Sequence, residues 1–154
     1  MSQKLTIEGN TIIDAVIAKI TSTFPNIDVY DEKINQGCEY PYFMVYVEDF
    51  SEEKLMRENY LQTFIISVLY QYKELPETSY SNFNNVSYLL TEALRIIELP
   101  NGDTLRGYNI NSYPDNEKLE FYVNYDIKVA KEQKDKIKQM KNSITVYVKN
   151  KGGN

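Results

Sequence analysis

The chain has 154 residues, 42% hydrophobic and 25% charged, with a formal net charge of −5. That is the size of one domain with its own core. It has no histidine and a single cysteine, Cys38, which removes the commonest general base and metal ligand and rules out an intrachain disulfide. The charge is divided: from Lys131 onward seven lysines face only Glu132 and Asp135, so this tail carries +5 and residues 1–130 carry −10. An acidic body argues against wrapping a nucleic-acid backbone.

The opening MSQKLTIEGNTIID has no run of signal-peptide type, and no apolar run is long enough to cross a bilayer as a helix. A soluble protein used without secretion, with no membrane partner, is expected. The 14 tyrosines suit a sheet-rich chain in which Tyr replaces Phe and Trp, and also an interface surface, where one end of the ring stays wet.

Ile12, Val16, Ile17, Ile20 and Phe24 recur at helical spacing. The pattern predicts a first helix from about Asn10 to Thr23, capped by Asn10 or Thr11 and ended by Pro25. Ile27–Tyr30 predicts a short strand, and residues 31–41 a loop holding Cys38, which lacks any histidine to activate it. Tyr42–Asp49 predicts a strand with Phe43, Val45 and Val47 on one face and Tyr42, Met44 and Tyr46 on the other. Residues 51–59 read as a charged connection too long for a tight hairpin, projecting from the body.

Tyr60–Tyr72 is β-branched and aromatic and predicts the next strand. Phe83, Val86, Leu90, Leu94 and Ile97 mark a second helix, from Ser79 or Ser81 to Glu98, ended by Pro100-Asn101-Gly102-Asp103. Thr104–Tyr113 predicts a strand weakened, or bulged, at Gly107. After the turn residues Pro114-Asp115-Asn116 comes the most regular stretch of the chain. From Lys118 to Ala130 every second residue is apolar: Leu119, Phe121, Val123, Tyr125, Ile127 and Val129. A one-residue slip would put all six in water, so the register is strongly specified. This strand is expected to lie at or near the centre of the sheet, hairpin-paired with the one before it.

Beyond Ala130 the chain is highly charged to Asn142. Ser143–Val148 is then a strand in search of a sheet edge, its own or a neighbour's, and the last residues are expected to be disordered. The expected fold class is α+β: one mixed or antiparallel sheet of four to five strands with two helices on one face, in the order α-β-β-β-α-β-β plus a C-terminal arm. Residues 1–130 form the domain and 131–154 the basic arm. The helices cover the face of Phe121, Val123, Tyr125 and Ile127, leaving Tyr42, Met44, Tyr46 and Tyr122 on a face that wants a partner.

The sequence has no phosphate loop, dinucleotide fingerprint or metal-ligand spacing. Glu48-Asp49 and Glu52-Glu53 read as solvated loop charge. No catalytic, cofactor or metal-binding residue is assigned, and no enzyme activity is expected.

One set of residues goes further. Gln36-Gly37, Pro41-Tyr42-Phe43-Met44-Val45, Arg57-Glu58-Asn59-Tyr60 and Thr63-Phe64-Ile65-Ile66 follow in order. They are joined by Leu105-Arg106-Gly107 and Phe121-Tyr122-Val123-Asn124-Tyr125-Asp126. With the leading helix, this series resembles the tail terminator (tail completion) proteins of phages and prophages of low-GC Gram-positive bacteria, over about residues 8 to 130. The resemblance implies a structural virion protein whose subunits form a hexameric ring. That ring caps the tail tube and joins the tail to the neck and head connector, touches the sheath where the tail contracts, or serves as the terminal collar of a phage-tail-like bacteriocin.

The implied partners are further copies of the chain, the tail tube protein, the sheath protein if contractile, and neck proteins, with no sequence-specific nucleic acid. The implied location is the virion or tail-like particle, assembled in the bacterial cytoplasm. The alternative is a monomeric ligand-binding or regulatory domain with an acidic surface. Candidate interface residues are Tyr42, Met44, Tyr46, Arg57, Tyr60, Arg106, Tyr122, Lys131, Lys134, Lys136, Ile144, Val146 and Val148. The basic segment from Lys131 to Val148 is expected to reach a neighbouring subunit or the adjoining tail layer, drawn by the acidic body.

Overall fold

The computed structural model describes residues 8–31, 39–72, 79–115, 117–132 and 145–149. In chain order the elements are α1 (Glu8–Thr23), β1 (Asp28–Asp31), β2 (Tyr42–Lys54), β3 (Asn59–Gln71), α2 (Ser79–Leu94), β4 (Ile96–Glu98), β5 (Thr104–Arg106), β6 (Tyr108–Pro114), β7 (Lys118–Glu132) and β8 (Thr145–Lys149). The main sheet runs β1-β2-β3-β7-β6, with β8 on β7 as well, and β4 pairs with β5 in a separate ribbon. Only β1 is parallel to its neighbour; the other pairs are antiparallel.

The alternation in β7 is realised as read. Leu119, Phe121, Val123, Tyr125, Ile127 and Val129 are each at most 1% exposed. They form the floor of a core whose roof is α1, through Ile12, Val16 and Ile20, and α2, through Phe83, Val86, Leu90 and Leu94. β7 is central: β3 pairs with it along Asn59–Gln71, while β6 and β8 share its other edge end to end.

Rings join these layers. Phe24 lies 4.9 Å from Phe43 and Phe43 4.7 Å from Tyr70. Tyr70 in turn meets Phe83 at 6.2 Å, so the residue that follows α1 shares one aromatic seam with β2, β3 and α2.

Four local expectations are revised. First, α1 begins at Glu8, so Asn10 and Thr11 lie inside its first turn and do not cap it.

Second, the connection after Asp49 is strand, not a long loop. β2 runs to Lys54 and β3 starts at Asn59. A tight turn joins them, in which Leu55 N–H donates to Asn59 O (2.8 Å) and Asn59 N–H to Met56 O (2.9 Å). Arg57 takes φ 57° to close it.

Third, α2 stops at Leu94. Ile96-Ile97 leave the helix because β-branched residues favour the strand, and Gly102 at φ +93° turns the chain back, so that Ile97 meets Leu105 in the β4–β5 ribbon. Ile97 remains in the core, but from a strand.

Fourth, Thr104–Tyr113 is two strands. At Gly107 the chain passes from the ribbon to the main sheet, with its N–H bonded to Arg95 O at 2.7 Å. A Cβ there would lie 2.6 Å from Val123 Cγ2 and 2.7 Å from Leu94 O, so only glycine fits. The irregularity falls just beyond, between Tyr108 and Asn111, where Asn109 adopts φ 54°.

The C-terminal strand finds its own chain's edge: Thr145–Lys149 pairs with Lys128–Glu132 of β7. Cys38 and the last residues lie outside the described residues.

Candidate interaction surface

Side chains that point away from the helices form a second face. Across it, register aligns Tyr46 with Ser67 and Ser67 with Tyr122. The next row aligns Met44 with Leu69 and Glu120. Tyr42, Met44, Tyr46, Leu61, Ile65, Leu69 and Tyr122 are all half-buried, shielded by one another but not roofed by either described helix. Ser67 and Asn124 are buried beneath them.

The tyrosines hold positions through polar tips. Tyr42 O–H donates to Gln71 Oε1 (3.1 Å), and Tyr122 O–H donates to Glu120 Oε1 (3.2 Å) while Lys118 pairs with the same carboxylate (3.3 Å). Desolvation, and then the Glu120 carboxylate, push the Tyr122 phenol up to about 12. Tyr30 and Tyr40 stand 5.7 and 5.3 Å from Tyr42, and Tyr113 stands 5.9 Å from Tyr122. The rings thus make a band from β1 to β6.

At the distal end β2 and β3 run on as a hairpin ribbon to the Leu55–Glu58 turn, with β3 still paired to β7. A shift in pairing between Val47 and Asp49 puts Phe50, Glu52 and Lys54 opposite Phe64, Gln62 and Tyr60 on the helix side. A clamp holds the ribbon to β7: Lys131 Nζ donates to Glu52 Oε2 (2.8 Å), Gln62 Nε2 donates to Glu52 Oε1 (2.8 Å), and Lys131 sits 4.2 Å over the Tyr60 ring. The Lys131 ammonium, then the Gln62 amide, hold the Glu52 carboxyl below its ordinary value. Glu52 is therefore strand charge with a partner, not loop charge, and Glu48, Asp49 and Glu53 are exposed residues of the same strand. Among the described residues no group of carboxylates and thiols could hold a metal ion.

A third feature lies on the opposite edge. β6 leaves β7 at Asn124 and β8 joins it at Lys128. The notch between them opens into a cavity of about 340 Å³ lined by Ile96, Thr104, Leu105, Arg106, Tyr108 and Asp126. Asp126 Oδ1 accepts from both Tyr108 O–H and Thr63 Oγ1–H at 2.8 Å. Desolvation and that carboxylate raise the Tyr108 phenol.

A family model described as phage tail terminator protein matches residues 11–137. The chain belongs to the phage tail terminator family. No curated protein matches the chain. One solved structure is similar over 86% of this chain and 99% of its own, at 8% identity and a TM-score of 0.43, too slight a likeness to carry an argument.

In this tail terminator the candidate residues divide between the three features. Tyr42, Met44, Tyr46 and Tyr122 meet on the open face. Tyr60 and Lys131 form the ribbon clamp on the other side of the sheet, with Arg57 at the turn beyond. Arg106 lines the notch. Val146 and Val148 take register opposite Lys131 and Val129 in β8. Lys134, Lys136 and Ile144 lie outside the described residues.

The sequence reading missed Leu55, Met56, Ile96, Tyr108 and Asp126. Leu55-Met56 carried a signal: two adjacent apolar residues in the middle of a charged connector. Asp126 stood in the series that carries the family resemblance, but nothing there marked its role, because its setting depends on a notch that only the topology creates. Among the described residues no helix is long and apolar enough to cross a membrane.

Proposed function

We propose that this tail terminator assembles as a closed homohexameric ring. The ring stops tail growth by capping the finished tube and then presents its far side to the neck and head connector, contacting the last sheath layer in a contractile tail. The observation that carries this reading is the family match across residues 11–137. The open tyrosine band supports it, since a half-buried face rich in Tyr and Met is the composition of a protein interface. Nothing in the task requires catalysis: the protein acts by shape and by occupying the end of the tube. The Ile, Lys, Asn and Tyr richness supports an AT-rich, low-GC Gram-positive origin.

Within the basic arm Lys131 is engaged with Glu52 and residues 145–149 with β7. The lysines between them are the ones we propose for contact with a neighbouring acidic body. The tests are native mass spectrometry of the purified protein and electron microscopy of particles from a deletion strain. A hexamer, and headless tails of uncontrolled length restored to one length by the gene, are expected. A monomer at every concentration, with normal tails in the deletion strain, would refute the reading.

A further inference from the structure

We propose that the turn Leu55–Glu58 of one subunit seats in the notch between β6 and β8 of the next copy, and that this contact closes the ring. The inference rests on the ring reading and adds which two surfaces meet.

The turn is a knob. Met56 is 73% exposed and Leu55 40%, in the tight turn between β2 and β3. Arg57 and Glu58 follow them, and neither side chain has an ion-pair partner among the described residues. The notch is its complement. Ile96 and Tyr108, 39% and 42% exposed, offer apolar walls to Met56, whose unbranched thioether suits an irregular cavity. Arg106 has no carboxylate partner among the described residues and would take Glu58. Asp126, fixed by two hydroxyls on one oxygen, would take Arg57. Opposite charges in crossed order specify one orientation of the knob and disfavour its reverse.

Two further features fit. The knob is held in shape before it docks, because Lys131 N–H donates to Glu58 O at 2.8 Å and the Lys131–Glu52 pair clamps the ribbon, which reduces the ordering cost of association. Knob and notch also lie at different places on the subunit, one at the distal end of β2–β3 and the other at the β6–β8 edge. A contact between unlike surfaces is heterologous, and such contacts close into a ring when the rotation allows. A four-residue turn buries much less than the roughly 800 Å² per partner of a stable interface, so it acts as the anchor that sets the closing angle within a larger contact.

The test is a charge reversal and its rescue, with a direct cross-link. Arg106→Glu and Glu58→Arg alter exposed side chains that make no ion pair in the described monomer, so each variant should melt as the parent does. Each alone should raise the concentration needed for hexamers in native mass spectrometry at least about tenfold, and the double variant should restore it. In a Cys38→Ser background, Met56→Cys with Ile96→Cys should give an oxidised ladder of covalently joined subunits. If the parent forms hexamers while the reversals assemble as well as it does, or no ladder forms, the knob-and-notch contact is wrong and the ring stands. If the parent is a monomer throughout, with or without tail tubes, the ring reading fails and takes this contact with it.

Discussion

The Tyr125 hydroxyl donates to the carbonyl oxygen of Leu94 at 2.7 Å, tying the centre of β7 to the last turn of α2. The ring is fully buried, and burial raises its phenol far above the usual range. The bond satisfies one of the carbonyls that a helix end leaves unpaired. Tyr125→Phe keeps the packing and strands that carbonyl. It should cost about 1–3 kcal/mol, lowering the melting temperature by roughly 2–4 °C per kcal/mol for a chain of this size. An unchanged melting curve would show that water satisfies the carbonyl instead.

Gly107 and Gly9 give opposite expectations for the same substitution. Gly107→Ala drives a methyl into Val123 and the Leu94 carbonyl, at 2.6 and 2.7 Å. It should cost about 1–3 kcal/mol as overpacking. Gly9→Ala meets Phe64 Cε2 at 3.5 Å, an ordinary contact, at the start of a helix. It should be neutral or stabilising by up to ~1 kcal/mol. Chemical denaturation of the two variants side by side checks the ordering.

The two faces of β7 should respond differently to charge. Val123→Asp places a carboxylate where exposure is 0% and should cost several kcal/mol, at the upper end of single substitutions. Tyr122→Asp, one residue away on the half-buried face, should leave the monomer's circular dichroism unchanged and weaken assembly. A Tyr122 variant that assembles normally would remove the open band from the interface.

Glu52 predicts the direction of an acid response. Its folded pKa is lowered from the ordinary 4.5 by Lys131 and Gln62. The stabilisation is therefore present above about pH 4.5 and is lost as pH falls through the lowered value. The pair is partly exposed, with side chains at 26% and 23%, and solvent screening limits it to ~1 kcal/mol or less. Glu52→Gln should flatten the stability profile below pH 4.5 relative to the parent, and Lys131→Met should move the acid loss upward in pH. Parallel profiles for parent and Glu52→Gln would place the acid sensitivity elsewhere.

Periodicity made the core legible. Leu119 to Val129 named the buried face of β7, and the helical stripes named its cover, because burial on one side writes a period of two or 3.6 into the residues themselves. The family resemblance rested on order and spacing along β2, β3 and β7, which the fold brings together as neighbouring strands. What the sequence did not show lies where distant segments meet. The end of α2 at Leu94 depends on Ile97 finding Leu105. The split at Gly107 depends on Val123 passing beneath it. The Glu52–Lys131 pair joins strands that are not neighbours, across β3. The charges at residues 51–54 read as loop because their strand partners, Tyr60–Thr63 on one side only, are themselves ordinary-looking residues.

The placement of β7 has a kinetic consequence. Its longest partner, β3, is separated from it by α2, the β4–β5 ribbon and β6, so the pairing that completes the sheet is also among its most distant in sequence. The β2–β3 and β6–β7 hairpins can form locally, but joining them must first close a long loop, and such topologies fold slowly for their size. Until that join is made, the apolar row from Leu119 to Val129 has only half its partners and two sheet edges stand open. A newly made chain must therefore finish this join before the folded surface of its sheet exists.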